Sequence, residues 1–356
     1  MAYILTTDRN ENLQILRFFA AALVLVTHIT FYIHERMMTS VEIWHNGEVG
    51  VPIFFVISGF VMQYTGDKFE KNISGASLFL RRRIARIFPL YWLITIAKIA
   101  IALVLPAVVL HNRPNLLSAM GSFFLVPMFS ADGEVRPIHG VAWTLLHEMF
   151  FYYIFSLSIF LRKKPLIYGS LAISALCVYG LFTPQESAVM RVVTDQINLL
   201  FVAGMVLAWI YKKNFNIPKH FFVILLILSL WGIFSSDFLA FKRAYLHNFY
   251  IDAVALVYAL MNLQFSQFPN LRAKLKALGD SSYSLYLIHP IATPGICIAL
   301  FKLNLLSLAP LIIIATTITV TCAALVYRFI ETPLNKKFSD VLAYALDGKN
   351  RPDPGT

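Results

Sequence analysis

Ten apolar runs organise the chain, at about 13–33, 49–66, 87–110, 141–161, 166–183, 196–212, 219–236, 247–264, 282–301 and 307–329. A helix rises about 1.5 Å per residue and a hydrocarbon core is roughly 30 Å thick, so most of these runs have the length of a membrane span. Polar and charged stretches separate them. The expected fold is all-α, a polytopic transmembrane helical bundle of about 10 spans, because a helix satisfies its own backbone in lipid. The first run, LQILRFFAAALVLVTHITFYI, is interrupted by Arg17 and His28. Eleven residues at about 100° each return both side chains to nearly the same face, about 16 Å apart along the axis.

Composition supports a membrane protein. Of 356 residues, 58% are hydrophobic and 14% charged, against about 25% charged in a soluble domain, and mean hydropathy is +0.68. A net charge of +11 would suggest nucleic acid in a soluble chain, but here the basic residues sort by side of the membrane. With the N-terminus inside, the inner segments receive Lys68, Lys71, Arg81, Arg82, Arg83, Arg86, Arg162, Lys163, Lys164, Lys212, Lys213, Lys219, Arg272, Lys274, Lys276, Lys336 and Lys337. The outer segments keep Arg36, Arg113, Arg136, Arg191, Lys242, Arg243 and Lys302. Lys and Arg accumulate in cytoplasmic loops, so both termini are expected inside, and the basic balance needs no nucleic acid partner.

Cys177, Cys297 and Cys322 all lie in apolar runs, which fits neither a disulfide framework nor a metal site, and no metal is expected. The first run is too long for a cleavable signal and no small-residue cleavage site follows it, so it is expected to stay. Residues 1–338 read as one transmembrane domain and 339–356 as a short polar cytoplasmic tail, mobile at its end. The outer segments 34–48 and 111–140 carry His34, Trp44, His45, Asp132 and His139, and are expected to wall an external cleft.

Three constellations hold chemistry. His28 lies about fifteen residues above the inner end of its run, roughly 22 Å up. The fourth run descends from outside as VAWTLLHEMFFYY, placing His147 and Glu148 at comparable depth. Two readings stand: buried polar contacts between helices, or a carboxylate that fixes the imidazole tautomer and raises its basicity for catalysis. The inner cluster LFLRRRIARIFPLYW sets Arg82 and Arg86 four apart, flanked by Arg81 and Arg83. It reads as positive-inside charge, as a phosphate grip, or as both. In GVGVPIFFVISGFVMQY, Ser58 and Gly59 fall near mid-membrane, for helix packing or a narrow path. Lys98 has no evident partner, and His289 in SSYSLYLIHP has a capping or bending role beside Pro290, or a ligand role.

Together these motifs resemble the acyltransferase-3 family of bacterial integral membrane proteins. The resemblance is carried by Arg17 with His28, GVPIFFVISGF, Arg82 with Arg86, AWTLLHEMFFYY, LGDSSYSLYLIHP and RFIETPL, in that order over about residues 13–335. Pro52 departs from the acidic or polar residue of many members. The resemblance implies a multi-pass protein of the bacterial cytoplasmic (inner) membrane. It would transfer an acyl group, commonly acetyl, from cytoplasmic acyl-coenzyme A to a hydroxyl of an extracytoplasmic glycan or lipid-linked sugar. No cofactor is permanently bound on this reading; acetyl-coenzyme A is a substrate. By resemblance His28 is the catalytic histidine and Arg17 its motif partner, and Arg82 and Arg86 form the second motif. Arg17, Arg82, Arg83 and Arg86 are then expected to hold the donor, and Glu148 to support the imidazolium. Ser58, Trp143 and His147 are expected along the substrate path. Base catalysis by His28 and an acyl-histidine intermediate both fit. A rival from another class is a proton-coupled permease with Arg17, Lys98, His28 and Glu148 as a relay.

Overall fold

The computed structural model describes residues 11–104, 116–235, 249–263, 269–305 and 307–347. Its regular elements there are all helical; one isolated pairing, Phe129 with Val135, is the exception. In chain order we name α1 (Glu11–Arg36), α2 (Gly50–Gly66), α3 (Ile73–Val104), α4 (Leu116–Phe123), α5 (Trp143–Phe160), α6 (Ser170–Phe182), α7 (Ala188–Val193), α8 (Leu199–Lys213), α9 (Lys219–Phe234), α10 (Tyr250–Asn262), α11 (Pro269–Asp280), α12 (Ser282–Lys302), α13 (Leu308–Val326) and α14 (Thr332–Asp347). Each of the ten apolar runs carries a helix. Among the described residues, seven helical stretches, two of them joining consecutive helices (α7 with α8, α13 with α14), are long and apolar enough to cross a membrane. Helices α9 and α10 are shorter apolar ones. Large apolar side chains such as Leu181 and Phe182 on α6 or Ile227 and Trp231 on α9 point outward, as they do where lipid rather than water is the solvent.

Two compact units divide the described chain. In the first, which holds α1, α2, most of α6 and α8 to α13, helix directions follow from contacts. Gln14 donates to Asp280 at 2.6 Å and Arg17 to Ser282 at 3.3 Å, and the His28 ring meets that of His289. Helices α1 and α12 therefore run the same way, as the first and ninth of an alternating series must. The start of α1 meets the end of α10, where Asn12 donates to the carbonyls of Leu260 and Leu263. Helices α2 and α8 cross backbone to backbone. A Cβ on Gly59 would fall on the Phe201 carbonyl, and one on Gly204 on that of Val56. Glycine is what lets two helices approach this closely.

The second unit holds α3, α4, α5, α7 and α14. Helix α3 is 32 residues long, about 48 Å, and begins well before the aromatic segment that follows Pro89. It packs antiparallel to α5: Phe79 stacks on Phe155 with centroids 4.9 Å apart, and Ser156 donates to the Ala76 carbonyl. The loop expected over 111–140 is more structured than its polarity suggests. Residues 116–123 form α4, and the Tyr91 hydroxyl and Trp92 indole donate to the Ser122 and Phe123 carbonyls at 2.7 and 2.8 Å. Those donors lie about 18 Å below the end of α3 along its axis, so this segment folds back beside the helix instead of standing clear of it. Residues 339–347 of the expected tail continue helix α14, whose Phe338 ring meets Trp92 at 5.6 Å. The rest of the tail, with Arg113, Lys242 and Arg243, lies outside the described residues.

Candidate acyltransferase site

In the first unit the site is built on α1 and α12. Both Arg17 and His28 lie on the α1 face turned to α12. The Arg17 guanidinium stands over the Phe54 ring of α2, 6.0 Å from its centroid, and donates to Ser282. His28 is half-buried. Its Nδ1 donates to the Val24 carbonyl one turn back, at 2.9 Å. A carbonyl only accepts, so Nδ1 carries the proton and Nε2 of the neutral ring carries the lone pair. The Val24 carbonyl thus sets the tautomer, a task the sequence had suggested for Glu148. The His289 ring lies edge to face with His28, centroids 4.7 Å apart and planes at 68°. His289 has the same local anchor, Nδ1 donating to the Leu285 carbonyl at 3.1 Å, and Tyr286 approaches it at 5.8 Å.

His289 is the eighth residue of α12 and His28 the eighteenth of α1, so counting from the helix starts puts His289 nearer the inner side. Their ring contact puts them at one level. Such counting assumes that both helices begin at the same height and stand parallel to the membrane normal, and α1 and α12 do not meet both conditions. Helix α12 also continues through Pro290 and Pro294. Ser58 lies on α2, where its neighbour Gly59 serves the α2–α8 crossing.

The second unit holds the other predicted residues. Arg82 is exposed and lies over Phe69, 5.4 Å from the centroid. Arg83 turns to α5 instead, 5.7 Å from the Phe79 centroid and 6.0 Å from that of Tyr152. The Tyr152 hydroxyl donates to Glu148, one turn earlier on α5, and Arg83 interacts electrostatically with both Glu148 and Arg86. A half-buried carboxylate in an apolar helix thereby has a charged neighbour and a hydroxyl donor, as partial desolvation favours. His147 meets the Trp143 ring at 5.6 Å, edge to face. Tyr152 was missed from sequence; its position four residues after Glu148, on the same helical face, is the signal that points to it.

Among the described residues no group of three His, Cys, Asp or Glu side chains is placed to hold a metal, and Cys177, Cys297 and Cys322 are free thiols. A separate cavity of about 490 Å³ opens at the ends of α2, α8 and α10, lined by Tyr64, Tyr211, Lys212, Asn214, Phe215 and Tyr258 among others. None of the candidate site residues expected from sequence lines it.

Residues 10–328 match the family described as the acyltransferase domain. The chain belongs to this acyltransferase-3 family, and it is an acyltransferase. Over 298 residues it is 32% identical to the exopolysaccharide production protein ExoZ of Rhizobium meliloti (strain 1021), covering 82% of this chain and 90% of that protein. It is 26% identical to the O-acetyltransferase OatA of Staphylococcus aureus (strain MRSA252), over 86% of this chain and 55% of that one. The peptidoglycan O-acetyltransferase OatA of Listeria monocytogenes is also 26% identical, over 82% of this chain and 51% of its own. The chain thus spans about half the length of these OatA proteins. No solved structure matches it.

Proposed function

We propose that this acyltransferase moves an acyl group, acetyl in the first instance, from cytoplasmic acyl-coenzyme A to a hydroxyl of an extracytoplasmic glycan or lipid-linked saccharide. The names of its relatives, exopolysaccharide production and peptidoglycan O-acetylation, favour a polysaccharide acceptor. The observation that carries the mechanism is the His28 tautomer: with Nδ1–H held by Val24, Nε2 is the base. It takes the proton of the acceptor hydroxyl as the oxygen attacks the thioester carbonyl. The C–S bond breaks, the coenzyme A thiolate leaves, and the proton on Nε2 returns to that sulfur. Attack by Nε2 itself, giving an acyl-histidine, is the variant with the same atom. Arg82 and Arg86 are assigned to the donor phosphates, since guanidinium forks pair with phosphate oxygens in bidentate geometry; Arg83, expected from the sequence to join them, turns to Tyr152 instead. Glu148, which accepts from the Tyr152 hydroxyl on α5, is assigned as a second catalytic residue, a carboxylate. The protein is proposed to span the bacterial cytoplasmic membrane about ten times with both termini inside.

The test uses the full protein in nanodiscs with radiolabelled acetyl-coenzyme A and a panel of polysaccharide acceptors. Label is expected to move to one acceptor; label that stays on coenzyme A with every acceptor and with water sinks the reading. His28→Ala is expected to lower transfer by about 10²–10⁴-fold with donor affinity retained, and unchanged turnover removes His28 from the mechanism.

A further inference from the structure

We infer that His289 is a positioning residue for the transfer, placed to share the positive charge that forms on His28 when Nε2 takes the acceptor proton. The inference rests on the proposed reaction. Its basis is a pair of imidazoles on two parallel helices. The rings are 4.7 Å apart and edge to face, the arrangement in which the electropositive rim of one ring meets the electron-rich face of its neighbour. Both rings are anchored in the same way, each Nδ1 donating to the carbonyl four residues back. Their orientations are therefore fixed before any substrate arrives, and each neutral ring has its lone pair on Nε2.

His289 is 1% exposed. A core position on a membrane helix is filled at less desolvation cost by Phe or Leu than by imidazole, so a histidine there calls for a reason beyond packing. Charge on His28 supplies one. When the hydroxyl proton moves to Nε2, the imidazolium forms where water is scarce, and a polarisable ring already stands against it. The other aromatic groups near the pair are Tyr32, 6.3 Å from His28, and Tyr286 on the His289 side. Among charged groups, Glu48 acts on His28 electrostatically, but its carboxylate is exposed and already pairs with His45 at 2.6 Å, so solvent screens it. The Arg17 guanidinium is engaged with Phe54 and Ser282 lower on α1. When the proton leaves with the coenzyme A sulfur, both rings return to their neutral forms and the cycle is balanced.

The experiment uses nanodisc-embedded full-length His289→Phe and His289→Gln. Phe keeps a ring and loses the nitrogens, whereas Gln keeps a side-chain acceptor. Two quantities are read: kcat and KM for acetyl transfer, and the rate at which diethyl pyrocarbonate acylates His28, followed by peptide mass spectrometry. The second reads Nε2 directly and needs no coenzyme A. His289→Phe is expected to lower kcat by about 10–100-fold with the donor KM unchanged, and to slow His28 acylation in parallel. His289→Gln is expected to recover part of both. Wild-type kcat and wild-type His28 acylation in His289→Phe overturn the inference and leave a packing residue. A fall in kcat without slower acylation overturns it too, since His289 would then act elsewhere. If His289→Phe does not fold, as read by thermal unfolding, His289→Gln decides: wild-type values for both quantities overturn the inference, and intermediate ones support it. Should the wild-type protein move no label from acetyl-coenzyme A, the proposed donor fails while the acylation rates still decide the histidine pair.

Discussion

At the residue scale, the arginine cluster divides its labour. Arg82 is exposed, while Arg83 faces Tyr152 and the charge of Glu148. Removing a partner from a buried charge costs far more than removing an exposed charge. Arg83→Ala is therefore expected to lower stability by about 1–2 kcal/mol, and Arg82→Ala by less than about 1 kcal/mol. Thermal unfolding in detergent checks this, and equal losses contradict the division. Donor affinity is expected to fall when Arg82 and Arg86 are both replaced by Ala. Much of the site was legible in the residues because charge in an apolar run announces itself: Arg17, His28 and Glu148 stand out at once. Tyr152 did not, and His289 was singled out only with a capping, bending or ligand role. Tyrosine is ordinary in an apolar helix, and a histidine beside proline has a local explanation that needs no partner. Their roles come from which helix faces which, and that information is spread over distant parts of the chain.

At the element scale, hydropathy located every helix that the ten runs foreshadowed, because an uninterrupted apolar stretch in lipid has few alternatives to a helix. What it did not show was the ends. Helix α3 extends well before its apolar run, since Arg81 to Arg86 are good helix formers and Pro89 falls within the helix without ending it. Helix α4 was hidden in a segment read as a loop, and its carbonyls meet Tyr91 and Trp92 through contacts that no local pattern encodes. The α2–α8 crossing gives a prediction at this scale. Gly59→Ala or Gly204→Ala puts a methyl group against backbone rather than a flexible side chain, and backbone yields less. Each is expected to cost about 1–3 kcal/mol. Gly295→Ala, where a Cβ meets open space, is the control expected to sit near wild type in the same unfolding measurement.

For the whole molecule, the helix directions within the first unit follow the alternation expected of ten runs, with α1 and α12 parallel and α10 opposed to α1. Which end faces the cytoplasm is read from charge alone. With single cysteines introduced into a cysteine-free background, Lys163→Cys is expected to be protected from a membrane-impermeant thiol reagent in intact cells and Asp132→Cys to be labelled. The reverse pattern inverts the topology.

The contacts of α1 also bear on how the protein is made. Asn12, Gln14, Arg17 and His28 find partners in α10 and α12 or at the junction before it, some 250 residues later in synthesis. A ribosome that has just released α1 into the membrane leaves its polar face waiting while the intervening helices are inserted. The first helix must therefore be apolar enough to enter alone despite Arg17 and His28, and the histidine pair exists only after α12 arrives. A nascent or truncated chain thus holds His28 without His289. Expressing residues 1–215 and 216–356 as separate polypeptides is expected to restore acyl transfer only when both are present, the mark of a site assembled from the two ends of translation.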